Sequence, residues 1–286
     1  MVEQVSSLRT GVKYKDTPIG KIPVDWEVVP LSKISKINMG QSSPSQDCNE
    51  EKKGLPFYQG NAEFGPKYPS PKKWCKQSKK TAEQGDILIS VRAPVGDINI
   101  APHKCCIGRG IAAVQAKVAY DNFLYYSIIL YRKALSNICQ GITFEAISRK
   151  ELTELLISLP PSLEQKKIAD ILTTVDDAID KTTQIIDKTK ELKKGLTQRL
   201  LTRGIEHIPW VTGTDFEIQG TSISGLPRGN LSLLIPLPPV KEQKKIAKIL
   251  SSIDDKLEKE SKHRDQLILL KKGLMQVLLT GKLRVA

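Results

Sequence analysis

Two acidic doublets, Asp176-Asp177 and Asp254-Asp255, are the first candidates for chemistry in this 286-residue chain. Paired carboxylates can hold a metal or divide acid and base roles. Both doublets sit in stretches with helical periodicity, where adjacent residues diverge by about 100°. Two such carboxylates cannot share one ion, so the doublets are expected as solvated helix surface. Five cysteines (Cys48, Cys75, Cys105, Cys106, Cys139) form no CxxC pair and the three histidines are scattered, so no zinc site is expected. The glycines of "CIGRGIAA" (Cys106–Ala113) have the wrong spacing for a dinucleotide loop and read as strand–turn–strand. No GxxxxGK[ST], no Asn-Pro-Pro-aromatic tetrapeptide and no Pro-Asp dipeptide occurs. The expectation is a chain without catalysis of its own, without metal and without cofactor.

Binding chemistry is better supplied. Net charge is +13 and the pI is near 9.4, with the excess shared between residues 1–158 and the remainder. That balance suits a polyanion, because each phosphate neutralised by Lys or Arg releases a counterion. The segment "YPSPKKWCKQSKK" (Tyr68–Lys80) is Pro- and Ser-rich and carries five lysines and Trp74, on an ordinary solvated loop or at a phosphate contact. Lys72, Lys73 and Lys76 there, with Lys67 just before, are candidates for backbone phosphates. Arg92 in "SVRAPVG" and Arg109 in "GRG" stand in turns beside strands, able either to bond guanine or to pin a neighbouring loop. Gln41 and Ser42 in "MGQSSPSQ", together with Asn61 and Thr143, complete the candidate DNA-binding set.

These residues need a scaffold, and a repeat supplies its outline. Sliding the chain by 78 aligns Leu159–Thr202 with Leu237–Thr280 without a gap, 24 of the 44 positions being identical. Each copy opens with a proline pair, which fixes extended backbone. Ser162 and Gln165 are spaced for a capping box, although Val240 replaces the serine in the second copy. Apolar or neutral residues then recur in steps of four and three: Ile168, Leu172, Val175, Ile179, Thr182, Ile186, Thr189, Leu196 and Leu200. The second copy continues the pattern through Ile246, Leu250, Ile253, Leu257, Leu267, Leu274 and Leu278, with Glu260, Arg264 and Lys271 as polar interruptions. This is a heptad seam, and a glycine follows each run closely. Two helices of about 36–40 residues, roughly 55–60 Å long, are expected. With about 35 residues between them they pair as an antiparallel coiled coil; pairing with another chain is the alternative.

Residues 1–158 instead alternate short β-branched runs with Gly, Pro, Asn and Ser. Strands are expected at Trp26–Leu31, Leu55–Gly60, Asp86–Val91, Asp97–Ala101 and Ile111–Ala116, and a helix at Tyr120–Cys139. The fold class is therefore α+β: one globular, mostly antiparallel domain plus the helix pair. No 18-residue apolar run occurs and the first residues lack a secretory core, which points to a cytoplasmic chain without a membrane partner.

Together "GKIPVDWEVVPLSKI" (Gly20–Ile34), "GDILISVRAPVGDINIA" (Gly85–Ala101), "ISRKELTELLISLPP" and the doubled "LPP..EQKKIA.IL" resemble the specificity (S) subunit of Type I restriction–modification systems. The resemblance implies a target-recognition domain that reads double-stranded DNA and helices that dock methyltransferase (M) subunits. The restriction (R) subunit would be reached through them, and the chain itself would catalyse nothing. It assigns residues 1–158 to recognition, 159–204 and 237–286 to the long helices, and 205–236 to the remnant of a second recognition domain. Partner-binding residues are then expected at the helix starts: Glu164, Gln165, Lys166 and Lys167, and their counterparts Glu242, Gln243, Lys244 and Lys245. A full S subunit has two recognition domains, so a single one implies half-site reading or a homodimer. The competing expectation is a coiled-coil adaptor whose N-terminal domain binds RNA or protein.

Overall fold

Short strands punctuated by turn residues build the N-terminal part of the structure, a computed structural model that describes residues 12–139, 146–205, 211–212 and 236–285. In chain order they are β1 (Tyr14–Thr17), β2 (Gly20–Pro23), β3 (Glu27–Pro30), the one-turn α1 (Leu31–Ile34), β4 (Ser35–Met39), β5 (Cys48–Asn49) and β6 (Leu55–Tyr58). There follow β7 (Lys73–Cys75), β8 (Thr81–Ala82), β9 (Ile87–Ser90), β10 (Ile98–Ile100), β11 (Cys105–Ile107) and β12 (Ile111–Ala116). Then come α2 (Asp121–Cys139), α3 (Arg149–Glu154), β13 (Leu156–Leu159), α4 (Ser162–Arg203), β14 (Val211–Thr212), β15 (Pro236–Leu237) and α5 (Val240–Leu278).

The chain divides into two compact units, one comprising residues 1–175 and 270–286 and the other 176–269. In the first, an antiparallel sheet runs β10-β9-β12-β4 and a second sheet runs β5-β7-β6-β11-β8. The second sheet holds one parallel pair, β6 with β11, among antiparallel neighbours, within the mostly antiparallel expectation. Within the lysine-bearing segment, where no strand was expected, Lys73–Cys75 pairs with both β5 and β6 as a strand. Trp74 and Cys75 thereby gain a ladder that the prolines of "YPSPKK" had obscured. The main core gathers Trp26, Leu31, Ile34, Ile89, Phe123, Leu124 and Ile128, with Ile168, Leu172 and Leu278 from the long helices. Full burial of each such side chain contributes about 1.5–3 kcal/mol.

The beginning of α4 and the end of α5 meet inside this first unit. Ser158 Oγ donates to the Leu279 carbonyl at 2.9 Å. Glu164, buried on the first turn of α4, accepts from the Trp26 indole at 3.0 Å and from two nitrogens of Arg284 at 2.7 and 2.8 Å. Arg284 also forks onto Asp25 at 2.6 and 3.0 Å, and its guanidinium stacks on Trp26. The capping box expected at Ser162 is replaced by a contact common to both repeats. Gln165 Nε2 donates to the Pro160 carbonyl and Gln243 Nε2 to the Pro238 carbonyl, each at 2.8 Å. This bond needs the proline carbonyl and the glutamine but not the serine, which accounts for Val240 in the second copy.

In the second unit the helices run antiparallel: Lys193 pairs with Asp254, and the Ile205 N–H donates to Glu242 Oε1 at 2.7 Å. Thr182, Ile186, Thr189, Leu200 and Ile246 are buried along the seam. Asp177, Asp254 and Asp255 are exposed as expected, whereas Asp176 turns inward. Both helices end on glycines with φ of +69°, Gly204 and Gly281, the left-handed stop that glycine adopts without Cβ strain. The repeat extends into the strands. Leu159 faces Glu27 in the first unit, and its counterpart Leu237 faces Val211 in the second.

Removing the Arg284 guanidinium leaves a buried carboxylate without its counterion. Arg284→Met is expected to lower stability by about 3 kcal/mol in urea denaturation. The hydrogen bond from Arg284 holds the Asp25 carboxyl below its ordinary 3.8, with desolvation opposing the shift. A depressed folded value means that this contribution is complete above pH 3.8 and fades as pH falls through the folded value. The variant should lack that part of the acid limb.

Candidate nucleic-acid interface

Loops leaving three strands are laced together at one end of the first unit. The Gly40 N–H donates to the Ile111 carbonyl and Gln41 N–H to Ile107, while Gly108 N–H donates to Tyr58 and Gly110 N–H to Gln59. Val91 N–H donates to the Gly110 carbonyl, drawing in the strand that carries Arg92. Backbones this close exclude side chains. A Cβ on Gly40 would lie 2.1 Å from the Gly108 carbonyl oxygen, and one on Gly110 would lie 2.5 Å from that of Gln59. The lacing brings together the backbones of Gln41, Ser42, Arg92 and Arg109, whose side chains are all exposed. It adds Gln59, exposed and in the same junction, which sequence reasoning left as a strand end. The signal available for it was a Gln-Gly step directly after a buried aromatic.

The lysines form a second group. Lys72, Lys73 and Lys76 flank or occupy β7 and are exposed, and no carboxylate pairs with them among the described residues. Lys72 Nζ donates to the Ala62 carbonyl at 3.1 Å, linking this strip to the turn after Gln59. Trp74 is half-buried and covered by Lys52, whose ammonium lies 5.9 Å from the ring centroid. Lys67 is less free, with its ammonium 5.7 Å from the centre of the Tyr68 ring. Asn61 is committed inward: its amide donates to Asp97, which also receives Arg132. Thr143 lies outside the described residues.

Such a surface can hold phosphates on lysines and present amide and guanidinium groups to base edges. Burial pushes the Tyr58 hydroxyl and the Cys105 thiol each up to about 12, so both stay protonated. No group of three or more His, Cys, Asp or Glu able to hold a metal occurs among the described residues. Among the same residues no helix is long and apolar enough to cross a membrane.

At the helix starts, the eight expected partner-binding residues divide. Glu164, Gln165 and Glu242 are buried, the first two bonded as described above, and Gln243 is half-buried. Lys166, Lys244 and Lys245 are exposed and Lys167 is half-exposed. Alternation around the helix places the carboxylate and amide on the inner side and the lysines on the outer side.

The family model of the Type I restriction modification DNA specificity domain matches residues 23–191 and 214–267. The chain belongs to this family. A specificity-domain relative in Methanocaldococcus jannaschii, the putative type I restriction enzyme MjaX specificity subunit, is 46% identical over 193 residues, covering 66% of this chain and 45% of its own length. The MjaIX specificity subunit of the same organism is 30% identical over 196 residues, covering 63% and 45%. The chain thus spans less than half the length of these relatives. The crystal structure of the Type-I restriction-modification system S subunit from M. genitalium shares the fold, with a TM-score of 0.63 at 12% identity over 96% of this chain and 98% of that one.

Gly40→Ala forces the loop carrying Gln41 away from the Gly108 turn. Duplex-DNA affinity is expected to fall at least tenfold, with a thermal midpoint lower by about 2–4 °C for each kcal/mol lost in a unit of this size. Unchanged affinity and midpoint would show that the lacing tolerates a methyl group.

Proposed function

We propose that this chain is a non-catalytic DNA sequence-recognition subunit of a Type I restriction–modification enzyme. It would direct methyltransferase subunits, and through them the restriction subunit, to a specific double-stranded site in the cytoplasm. The observation that carries this reading is the laced junction of Gln41, Gln59, Arg92 and Arg109 beside a lysine strip that no carboxylate among the described residues neutralises. Lysines at 72, 73 and 76 take up backbone phosphates and set the register of the domain on the duplex. Glutamines and arginines held by backbone bonds then face base edges, glutamine suiting adenine and arginine suiting guanine in the major groove. Family membership supports the same reading, since the M. jannaschii relatives are type I restriction enzyme specificity subunits.

The outward lysines at the helix starts, Lys166, Lys167, Lys244 and Lys245, are the proposed methyltransferase-facing residues, with the residues 159–204 and 237–286 acting as the spacer. Residues 1–158 form the one recognition domain. It reads half of a split site, and two chains associating as a homodimer read a palindromic pair.

Salt titration of duplex binding tests the proposal. The logarithm of affinity should fall with the logarithm of salt by about 0.9 per phosphate neutralised. The Lys72/Lys73/Lys76→Ala triple variant should reduce that slope by about 2–3, equally for all sequences. Equal affinity for every duplex, or tighter binding to RNA, would contradict it and favour an adaptor.

A further inference from the structure

Three thiols meet at the edge of the second sheet, where the nucleic-acid reading gives them nothing to do. Cys48 on the edge strand β5 stands directly opposite Cys75 on β7. Cys106 on β11 joins Cys75 and Phe57 in one apolar cluster, with Cys48 and Leu55 packed against it. Cys48 and Cys106 both pack against Cys75, and all three are free. Directly opposed residues of an antiparallel pair have Cα atoms about 4.5–5.5 Å apart. That falls inside the span of about 4.4–6.8 Å that a disulfide bridges. Cys75 and Cys106 are sealed from solvent at 1% exposure each, so only the half-buried Cys48 can meet a reagent.

We propose that Cys48 and Cys75 form a thiol–disulfide exchange site that accepts a low-molecular-weight disulfide such as oxidised glutathione. Cys48 loses its proton to solvent and its sulfur attacks one sulfur of the reagent. The reagent's S–S bond breaks, a mixed disulfide forms on Cys48, and the first glutathione thiolate leaves and takes a proton. Cys75, deprotonated in turn, attacks the Cys48 sulfur, which forms the Cys48–Cys75 bond and expels the second glutathione. The two cysteines together lose two electrons and two protons, and one glutathione disulfide becomes two thiols. Cross-strand registry places Cys75, and not Cys106, in position for the second step.

The bond would act on the lysine strip. Cys75 ends β7, directly after Lys73 and Trp74 and directly before Lys76, and its thiol donates to the Gln77 carbonyl at 3.0 Å. Oxidation removes that donor and ties β7 to β5, so the segment after Cys75 loses one of its anchors. This consequence rests on the proposed DNA-binding role; the exchange site itself does not.

The full chain treated with oxidised glutathione should lose two hydrogens in mass and yield a Cys48–Cys75 cross-linked peptide. Cys48→Ser should abolish the cross-link, and Cys106→Ser should leave it intact. A reaction that stops at glutathionylated Cys48, a Cys48–Cys106 link, or no reaction would each overturn the site. The oxidised chain should also bind duplex DNA at least threefold more weakly than the reduced chain. A cross-link that leaves measurable DNA binding unaltered would overturn the coupling. The peptide readout decides the exchange site even if DNA binding is absent.

Discussion

One buried carboxylate ties together parts of the first unit that are far apart in the chain. Glu164 opens α4, yet it accepts a hydrogen bond from the indole of Trp26, 138 residues earlier, and from the guanidinium of Arg284, 120 residues later. A carboxylate taken out of water is costly unless its lone pairs are met, so these contacts are obligatory once the helix start is packed. Together they fix the N-terminal strands, the first turn of α4 and the C-terminal segment in one arrangement. The repeat carries the same residue again as Glu242, also buried, with the Ile205 N–H on one oxygen and no partner for the other among the described residues. At this second site a two-residue strand pair keeps the register of the first.

The interface follows from backbone geometry more than from side-chain packing. Glycines at 40, 108 and 110 allow three loops to bond through their main chains, so the groups proposed to read bases stand on a fixed frame. The rigidity comes from hydrogen bonds with no side chains between them, which leaves the exposed residues free to differ without disturbing the frame. The lysines need less precision, because phosphate contacts are set by charge and distance.

The helices were the most legible part of the sequence. A seam in steps of four and three, proline pairs before it and glycines after it marked both helices to within a few residues, and even the neutral Thr182 and Thr189 proved to be buried. Among the strands, Ile111–Ala116 emerged as expected, but β7 did not, because the prolines before Lys73 outweighed a three-residue run. The parallel pairing of β6 and β11 was hidden for a different reason: it joins residues 49 apart, and local pattern carries no information on which edges meet. For the candidate site, Gln41, Arg92 and Arg109 could be suspected from residue type and turn context. Their convergence with Gln59 depends on non-local hydrogen bonds. The inward turn of Glu164 and Gln165 was likewise invisible, since a polar pair in a lysine-rich phrase reads as surface until its buried partners are known.

Sequencing of adenine-methylation sites in the host genome, with and without this chain, tests the specificity role most directly. The account predicts that one split motif loses methylation when the chain is deleted and regains it on complementation. It also predicts that substituting Gln41 or Arg109 alters the motif. An unchanged set of methylated motifs after deletion would contradict it.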